Sequence, residues 1–335
     1  MTCEAIADGQ PLVSVVIPAF NAAATLAETL LSAAAQTYRH IEIVIVDDGS
    51  TDRTREIAAV FCEKDPRARL VPVSHGGVGA ARNRGIAAAR GEFVAFLDAD
   101  DLWSPEKIRK QVAKALPPGN VGFVYTFYRR IGDRGQPLGA PTQFAIEGRA
   151  FWRHLYWNFV GSGSSMLARR SLVLDMGGFD EGLESCEDYL LQLRLARRYP
   201  IACVPEYLVF YRDRPSSVSS DRERMFRGWR EAVGRLGAAD GRPGKRVAAW
   251  TYSRACWGLA ISSLRRGKPV KAAHLLLWAL AADPSRTFLN AKRVAARSFG
   301  RRLRAAGEPV IYDLDLARMN QLAARDAGTA VVDPD

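Results

Sequence analysis

Three carboxylates stand close together where a hydrophobic segment ends. The segment from Glu92 to Leu97 has the length and aromatic content of a buried strand, and Asp98, Asp100 and Asp101 follow it within four positions. In an open α/β sheet ligands bind outside the carboxyl ends of the strands, and carboxylates are preferred ligands of hard cations. The acids therefore predict a site for a divalent cation and for the phosphates that it bridges.

A simpler role for these acids is to cap the helix that follows them. The run Ser104-Pro105-Glu106 has the features of a helix start, with Ser104 as N-cap and Pro105 at the first helical position. Because Ser104 fills the capping role, the sequence leaves the acids for ligand binding.

Strands and helices alternate through the segment that positions these acids. Leu12 to Pro18 and Ile41 to Val46 are β-branched runs, and the segment from Thr25 to Ala35 between them has helical spacing. The second run also ends in acids, Asp47 and Asp48. Unbroken apolar strands that alternate with helices are typical of a parallel sheet covered on both faces. The sequence thus predicts an α/β fold with a Rossmann-like, nucleotide-binding sheet.

Composition is that of an ordinary globular protein of 335 residues, with 48% hydrophobic and 25% charged residues. Its five cysteines are an odd number without metal-binding spacing, which favours free thiols in a reducing compartment. The first residues show no basic start before an apolar run, and the apolar stretch from Ala272 to Ala282 is too short to span a membrane. These features predict a cytoplasmic protein.

The net charge of +11 is distributed unevenly. Residues 191–306 contain 25 Lys and Arg against 7 Asp and Glu, a net charge of +18, whereas the remainder carries −7. We therefore expect three parts: a first domain over 1–219 that contains the acid motifs, a basic helical region over 220–306 and a tail over 307–335. The basic region would attract a polyanion or an anionic membrane surface.

Four motifs in order are typical of one enzyme family. They are Val13-Ser14-Val15-Val16-Ile17-Pro18-Ala19-Phe20-Asn21, then Val46-Asp47-Asp48-Gly49-Ser50, then a glycine-rich segment from Gly76 to Gly85 joined to Asp98-Ala99-Asp100, and finally Gly177-Gly178-Phe179-Asp180-Glu181 followed by Glu187-Asp188. Over about residues 12–212 the chain resembles glycosyltransferase family 2, whose members are inverting nucleotide-sugar enzymes of GT-A fold. The resemblance implies a GT-A domain over residues 1–219.

The same resemblance implies roles for individual residues. It places the nucleotide base and ribose at Pro18, Ala19, Asn21 and Asp48, although Asp47-Asp48 is also compatible with an ordinary Asp-Gly turn. Arg82 is expected on the nucleotide side, or else on a solvated helix face. Asp98 and Asp100 match the DxD motif: Asp98 near the ribose, and Asp100 on the Mn²⁺ or Mg²⁺ that bridges the diphosphate. The expected donor is a nucleotide sugar, with a UDP-sugar favoured.

Asp188 is the expected catalytic base by the same resemblance, with Glu187 in support. The alternative is that both acids only complement the dipole of a helix N-terminus, worth about 0.3–1 kcal/mol each. The chain departs from the family pattern at His75, where many members have Asn, and at Gly79, where many have Ser. It also lacks the QxxRW motif of processive synthases, which favours transfer of a single sugar.

The predicted function is therefore inverting, metal-dependent transfer of one sugar to a saccharide or lipid-linked acceptor in cell-surface polysaccharide or glycolipid assembly, on the inner face of a membrane. A nucleotidyltransferase is one alternative, but it favours a basic phosphate loop after the first strand, and this chain has no Lys or Arg before Arg39. A non-catalytic polyanion-binding protein is another, but it has no need of acids at three sites. No nucleic-acid partner is expected.

Overall fold

The computed structural model of the protein describes residues 9–116, 120–139, 143, 145–214, 217–236 and 241–284. It separates into two compact units, one built from residues up to 150 together with 159–220, and the other from 151–158 and the residues that follow 220. Residues 285–306 of the predicted basic helical region, and the tail predicted over 307–335, lie outside the described residues.

One mixed sheet of eight strands, counted in the described residues, forms the first unit. The strands are β1 (Val13–Ala19), β2 (Ile41–Asp48), β3 (Ala68–Val73), β4 (Phe93–Phe96), β5 (Leu102–Trp103), β6 (Phe123–Ile131), β7 (Met166–Arg169) and β8 (Ile201–Arg212). Their order across the sheet is β3-β2-β1-β4-β7-β6-β8-β5.

The half of the sheet formed by β3, β2, β1 and β4 is parallel. Its crossovers are α1 (Leu26–Ala34), α2 (Thr54–Lys64) and α3 (Val78–Ala88), as the alternating pattern predicted. Every residue of β1 and β2 is buried, because helices cover both faces. The chain leaves β1 towards β2 and β3 and later returns to its other side as β4, so the order reverses beside β1. Ligands bind at such a switch point in open α/β sheets.

The other half of the sheet is mixed. β7 is antiparallel to both β4 and β6, whereas β8 is parallel to β6 and antiparallel to the short β5. Three helices accompany these strands: α4 (Lys107–Ala115), α6 (Arg170–Asp175) and α7 (Glu187–Arg198). β8 is one continuous strand, because register shifts opposite Phe127 keep its pairing with β6 unbroken.

The predicted start of α4 at Pro105 is wrong by two residues. The helix begins at Lys107 with Glu106 as N-cap, and no side chain caps it. The backbone of Ser104 instead continues the pairing of β5, since its N–H donates to the carbonyl of Leu208 in β8 over 2.9 Å.

The second unit is helical in its described part. It contains α5 (Phe151–Tyr156), α8 (Arg222–Arg235), α9 (Gly241–Arg265) and α10 (Pro269–Ala282). Side chains of α9 and α10, among them Cys256, Ala260 and Leu275, form its core. The carboxylate of Asp221 accepts hydrogen bonds from two backbone N–H groups at the start of α8. No helix in the described residues is long and apolar enough to cross a membrane.

Candidate active site

The carboxyl ends of β1, β2 and β4 bring three of the sequence motifs to one edge of the sheet. Asn21 follows β1, Asp48 ends β2, and Asp98 lies two residues beyond β4. Because these strands are parallel and adjacent, their ends meet, although the three residues span 78 positions of the chain. Pro18 and Ala19 are themselves buried, so the neighbouring Phe20 and Asn21 provide the exposed surface here.

Asn21 ties the first motif to the second. It adopts a left-handed backbone conformation (φ 49°), and its side-chain oxygen accepts from the backbone N–H of Thr51 over 2.9 Å. Its own N–H donates to Oγ of Ser50 over 3.1 Å. Asparagine tolerates this conformation better than most residues, which explains its place in the turn.

Asp48 holds the glycine-rich loop that precedes α3. Its two carboxylate oxygens accept from the N–H groups of Gly76 (2.8 Å) and Gly77 (2.9 Å), and Nδ1 of His75 lies 2.9 Å from Oδ2. The ring of His75 stacks on that of Phe20 at 4.1 Å. His75, which departs from the family pattern, therefore forms an aromatic pair with Phe20 beside Asp48.

Arg82, on α3, lies at the centre of the site. Its guanidinium is almost fully buried and donates to Oδ1 of Asp98 (2.6 Å) and to Oε1 of Glu187 (2.5 Å). Burial opposes the charge of Arg82, but Asp98, Glu187 and Asp188 together raise its pKa above the ordinary value. Arg82 is thus the ionic connection between the DxD motif and the acids of α7, and not part of a solvated helix face.

Asp188 is the second residue of α7, after Cys186 in a left-handed conformation (φ 65°). It is partly exposed, and a Cβ built on Gly163 would lie 3.4 Å from both its Oδ2 and Nη2 of Arg82. Burial first, and then the charges of Glu187 and Asp98, raise the pKa of Asp188 to about 6, although Arg82 opposes the shift. A carboxylate with such a pKa is suited to accept a proton near neutral pH.

The three acids after β4 have different surroundings. Asp98 and Asp100 keep 28% and 25% of their side chains exposed, whereas Asp101 is fully buried. Asp101 accepts from Oγ of Ser164 (2.6 Å) and from the backbone N–H of Arg212 (3.0 Å). The expectation that all three acids face the ligand site is therefore wrong for Asp101, which holds the loop in place.

Asp100 is paired with Arg214, whose Nη2 lies 2.6 Å from its Oδ2. Burial and the charge of Asp98 raise the pKa of Asp100, and Arg214 opposes the shift. Sequence reasoning missed both Arg212 and Arg214. The available signal was a pair of arginines at the end of a strand, more than 110 positions after the acids that they contact.

The donor set fits a cation that also binds a ligand's phosphates. No group of three or more His, Cys, Asp or Glu within the described ranges could hold a metal ion by itself. Asp98 and Asp100 each have one oxygen paired with an arginine, and both side chains are partly exposed to solvent. Mg²⁺ and similar ions are commonly held by one or two carboxylates together with substrate phosphates and water.

The fold is the GT-A fold of nucleotide-sugar glycosyltransferases. The structure has a TM-score of 0.61 with S. aureus TarS 1-349 in complex with UDP-GlcNAc, at 23% identity over 82% of each chain. It has a TM-score of 0.60 with the mannosyltransferase PcManGT from Pyrobaculum calidifontis in complex with GDP-Man and Mn²⁺, at 21% identity, covering 95% of this chain and 87% of that one. The predicted fold class is confirmed.

Residues 14–176 match the model of glycosyl transferase family 2. It is 38% identical over 130 residues to the putative teichuronic acid biosynthesis glycosyltransferase TuaG of Bacillus subtilis, covering 38% of this chain and 51% of TuaG. Three further curated relatives are matched over 32% to 63% of their own length. The family predicted from the four motifs is confirmed.

Proposed function

We propose that the protein transfers one sugar, with inversion, from a nucleotide diphosphate sugar to an acceptor hydroxyl, in a reaction that depends on a divalent cation. The observation that carries this proposal is the joint position of Asp98, Arg82, Glu187 and Asp188. Ion pairs join Asp98 to Arg82 and Arg82 to Glu187, and Asp188, the next residue of α7, has a raised pKa. Asp98 lies at the edge of the sheet where ligands bind in open α/β folds.

Asp188 is the proposed base. In an inverting transfer the acceptor oxygen forms its bond to the anomeric carbon while the bond from that carbon to the phosphate oxygen breaks, and the diphosphate leaves with the electron pair. Asp188 takes the acceptor proton in this step. Arg82 donates hydrogen bonds to Glu187 beside it and to Asp98, and so fixes Asp98 near the donor.

Asp100, assisted by Asp98, would hold Mn²⁺ or Mg²⁺, and the bound cation supplies positive charge that stabilises the leaving diphosphate. A UDP-sugar is the proposed donor. TarS in its complex holds UDP-GlcNAc and PcManGT holds GDP-Man, so the two nucleotides are the ones to compare. The name of TuaG supports a role in the assembly of a cell-surface polysaccharide, on a saccharide or lipid-linked acceptor.

The proposal is tested with a panel of UDP-, GDP- and dTDP-sugars, each incubated with Mn²⁺, Mg²⁺ or a chelator. We expect release of nucleoside diphosphate from one donor, only with a cation, and its loss in Asp188→Asn. Asp175→Asn, which changes an exposed acid just before the fourth motif, is the matched control and should retain activity. Release of pyrophosphate would instead indicate a nucleotidyltransferase, and no turnover on any donor would favour the non-catalytic alternative.

We also propose that the second unit docks on an anionic membrane surface. Val270, Leu277 and Trp278 of α10 are 70%, 60% and 52% exposed, although they are large and hydrophobic. Arg265, Arg266 and Lys268 are exposed at the turn just before α10. Apolar side chains beside basic ones favour an anionic lipid surface, where each basic residue contributes about 1 kcal/mol.

Flotation with vesicles of phosphatidylcholine, with and without phosphatidylglycerol, tests this docking surface. The protein should float with the anionic vesicles at low salt, and Leu277→Ser combined with Trp278→Ser should reduce the bound fraction. Leu31→Ser, at a leucine that is 64% exposed in the first unit, is the control and should leave binding unchanged. Equal flotation of both variants, or none with anionic vesicles, would contradict the proposal.

A further inference from the structure

Arg214 occupies a place in the site that the proposed reaction does not explain. It lies two residues beyond the end of β8, and its Nη2 is 2.6 Å from Oδ2 of Asp100. Both side chains are about a quarter exposed, at 29% and 25%. The pair is therefore open to a ligand that enters from solvent, in contrast to the buried pair of Arg82 and Glu187.

The position of Arg214 is fixed by its neighbour Arg212. The backbone N–H of Arg212 donates to Oδ1 of Asp101 (3.0 Å), and its Nε donates to the carbonyl of Asp100 (2.9 Å). Its two terminal nitrogens donate to the carbonyl of Asp133 (2.8 Å) and to Oε2 of Glu28 (2.8 Å). Arg212 thus fixes the end of β8 to the loop from Asp98 to Asp101, which we call the acid loop. Arg214 therefore reaches Asp100 from a fixed position of the backbone.

The charges show why this contact matters. The carboxylates of Asp98 and Asp100 are both partnered by arginines, and Asp101 is enclosed by Ser164 and the backbone of Arg212. A divalent cation that binds Oδ2 of Asp100 on the side now taken by Arg214 displaces the guanidinium, because the two cannot occupy the same position beside that oxygen. The displaced guanidinium would then lie beside the cation and the diphosphate, and its planar fork matches phosphate oxygens.

We infer that Arg214 is an exchangeable counter-ion, which pairs with Asp100 before the donor binds and with the donor's diphosphate once a divalent cation has taken Asp100. The inference rests on the proposed function, since it requires a diphosphate at this edge of the sheet. It gives Arg214 two opposite effects. In the donor-free protein it competes with the cation, and in the donor complex it strengthens the binding of the nucleotide.

Two binding constants separate these effects without any turnover. The first is the affinity of the donor-free protein for Mn²⁺ alone, read from the electron paramagnetic resonance signal of free Mn²⁺. The second is the affinity for UDP, with GDP in parallel, by calorimetry at saturating Mn²⁺. Arg214→Ala should bind Mn²⁺ about 3- to 5-fold more tightly, the scale of a partly exposed ion pair. It should bind the nucleotide about 10-fold more weakly, because a hydrogen bond to a charged group is lost.

Arg214→Gln, which keeps most of the side chain, should change both constants in the same directions and is the second variant. Arg130→Ala is the matched control. Arg130 pairs with Asp213, the residue before Arg214, and not with an acid of the acid loop. Its removal should change neither binding constant.

Opposite changes in the two constants support the inference, since local disorder would weaken both. Unchanged constants, or a parallel loss of both, would overturn it. If neither UDP nor GDP bound to the unmodified protein, the proposed donor site would be wrong and the inference would fall with it. If the unmodified protein and the Arg214 variants bound the nucleotide equally well, the inference about Arg214 would be overturned and the proposed donor site would stand.

Discussion

The pH dependence of transfer tests the raised pKa of Asp188. A base must be unprotonated to act, so kcat/KM should fall as the pH drops below about 6, the pKa that burial, Glu187 and Asp98 give to this carboxylate. At pH 5 the rate should be about 10-fold below its plateau. An aspartate with the ordinary value of 3.8 would retain nearly full activity at that pH.

Glu187→Gln should move the fall in kcat/KM on the acid side, the acid limb of the pH profile, to lower pH. The substitution removes the largest charge that raises the pKa of Asp188, and it frees Arg82 from its 2.5 Å contact with Glu187 so that its charge acts more strongly on Asp188. Burial, the leading cause, remains, so we expect a downward shift of up to about one pH unit. Glu63→Gln, at an exposed acid on α2, is the control and should leave the limb in place.

The assay is kcat/KM against pH from 4.5 to 8, about the range over which these limbs separate, with donor and cation held fixed. Chemical shifts of the carboxyl carbon, followed by NMR over the same range, report the pKa without turnover. Nearly full activity of the unmodified enzyme at pH 5, or an upward shift in Glu187→Gln, would refute the electrostatic account of Asp188.

Three further substitutions test other parts of the structure. Asp100→Ala should reduce turnover at least about 100-fold and abolish its stimulation by Mn²⁺, with little change in melting temperature because the side chain is partly exposed; full activity in chelator would contradict this. Phe20→Ala should weaken UDP binding measured by calorimetry, because the ring of Phe20 is 45% exposed beside Asp48, where the nucleotide base is expected. Unchanged affinity would show that Phe20 does not contact the nucleotide base. Gly85→Ala should lower the free energy of unfolding in urea by about 1–3 kcal/mol, since its Cβ would lie 2.2 Å from Cγ1 of Val16. Gly234→Ala, a helical glycine with open space around it, should instead be neutral or stabilising by up to about 1 kcal/mol.

The parallel half of the sheet could be predicted because its signals are local. The runs that form β1 and β2 are mostly apolar and β-branched. Asn21 follows the first run and Asp48 ends the second, and both reach the site. Parallel strands place their carboxyl ends together, so the position of Asp48 and Asp98 at one edge followed from the pattern alone.

The rest of the site depends on contacts between distant parts of the chain. Arg82 and Glu187 are 105 positions apart, and Arg214 and Asp100 are 114 apart. The sequence shows Asp98, Asp100 and Asp101 as equivalent acids, and only the packing of Ser164 and Arg212 turns Asp101 inward. The start of α4 was misplaced for a similar reason, since the backbone of Ser104 is held by β8.

The most direct test of the account compares Asp188→Asn with Asp100→Asn in two measurements, donor affinity and the rate of transfer in a single turnover. Asp188→Asn keeps the shape of the side chain and loses its basicity, so it should bind the donor normally and transfer at least about 100-fold more slowly. Asp100→Asn should weaken binding and transfer together. If Asp188→Asn transferred at a near-normal rate, or lost donor affinity as severely as Asp100→Asn, Asp188 would not be the base.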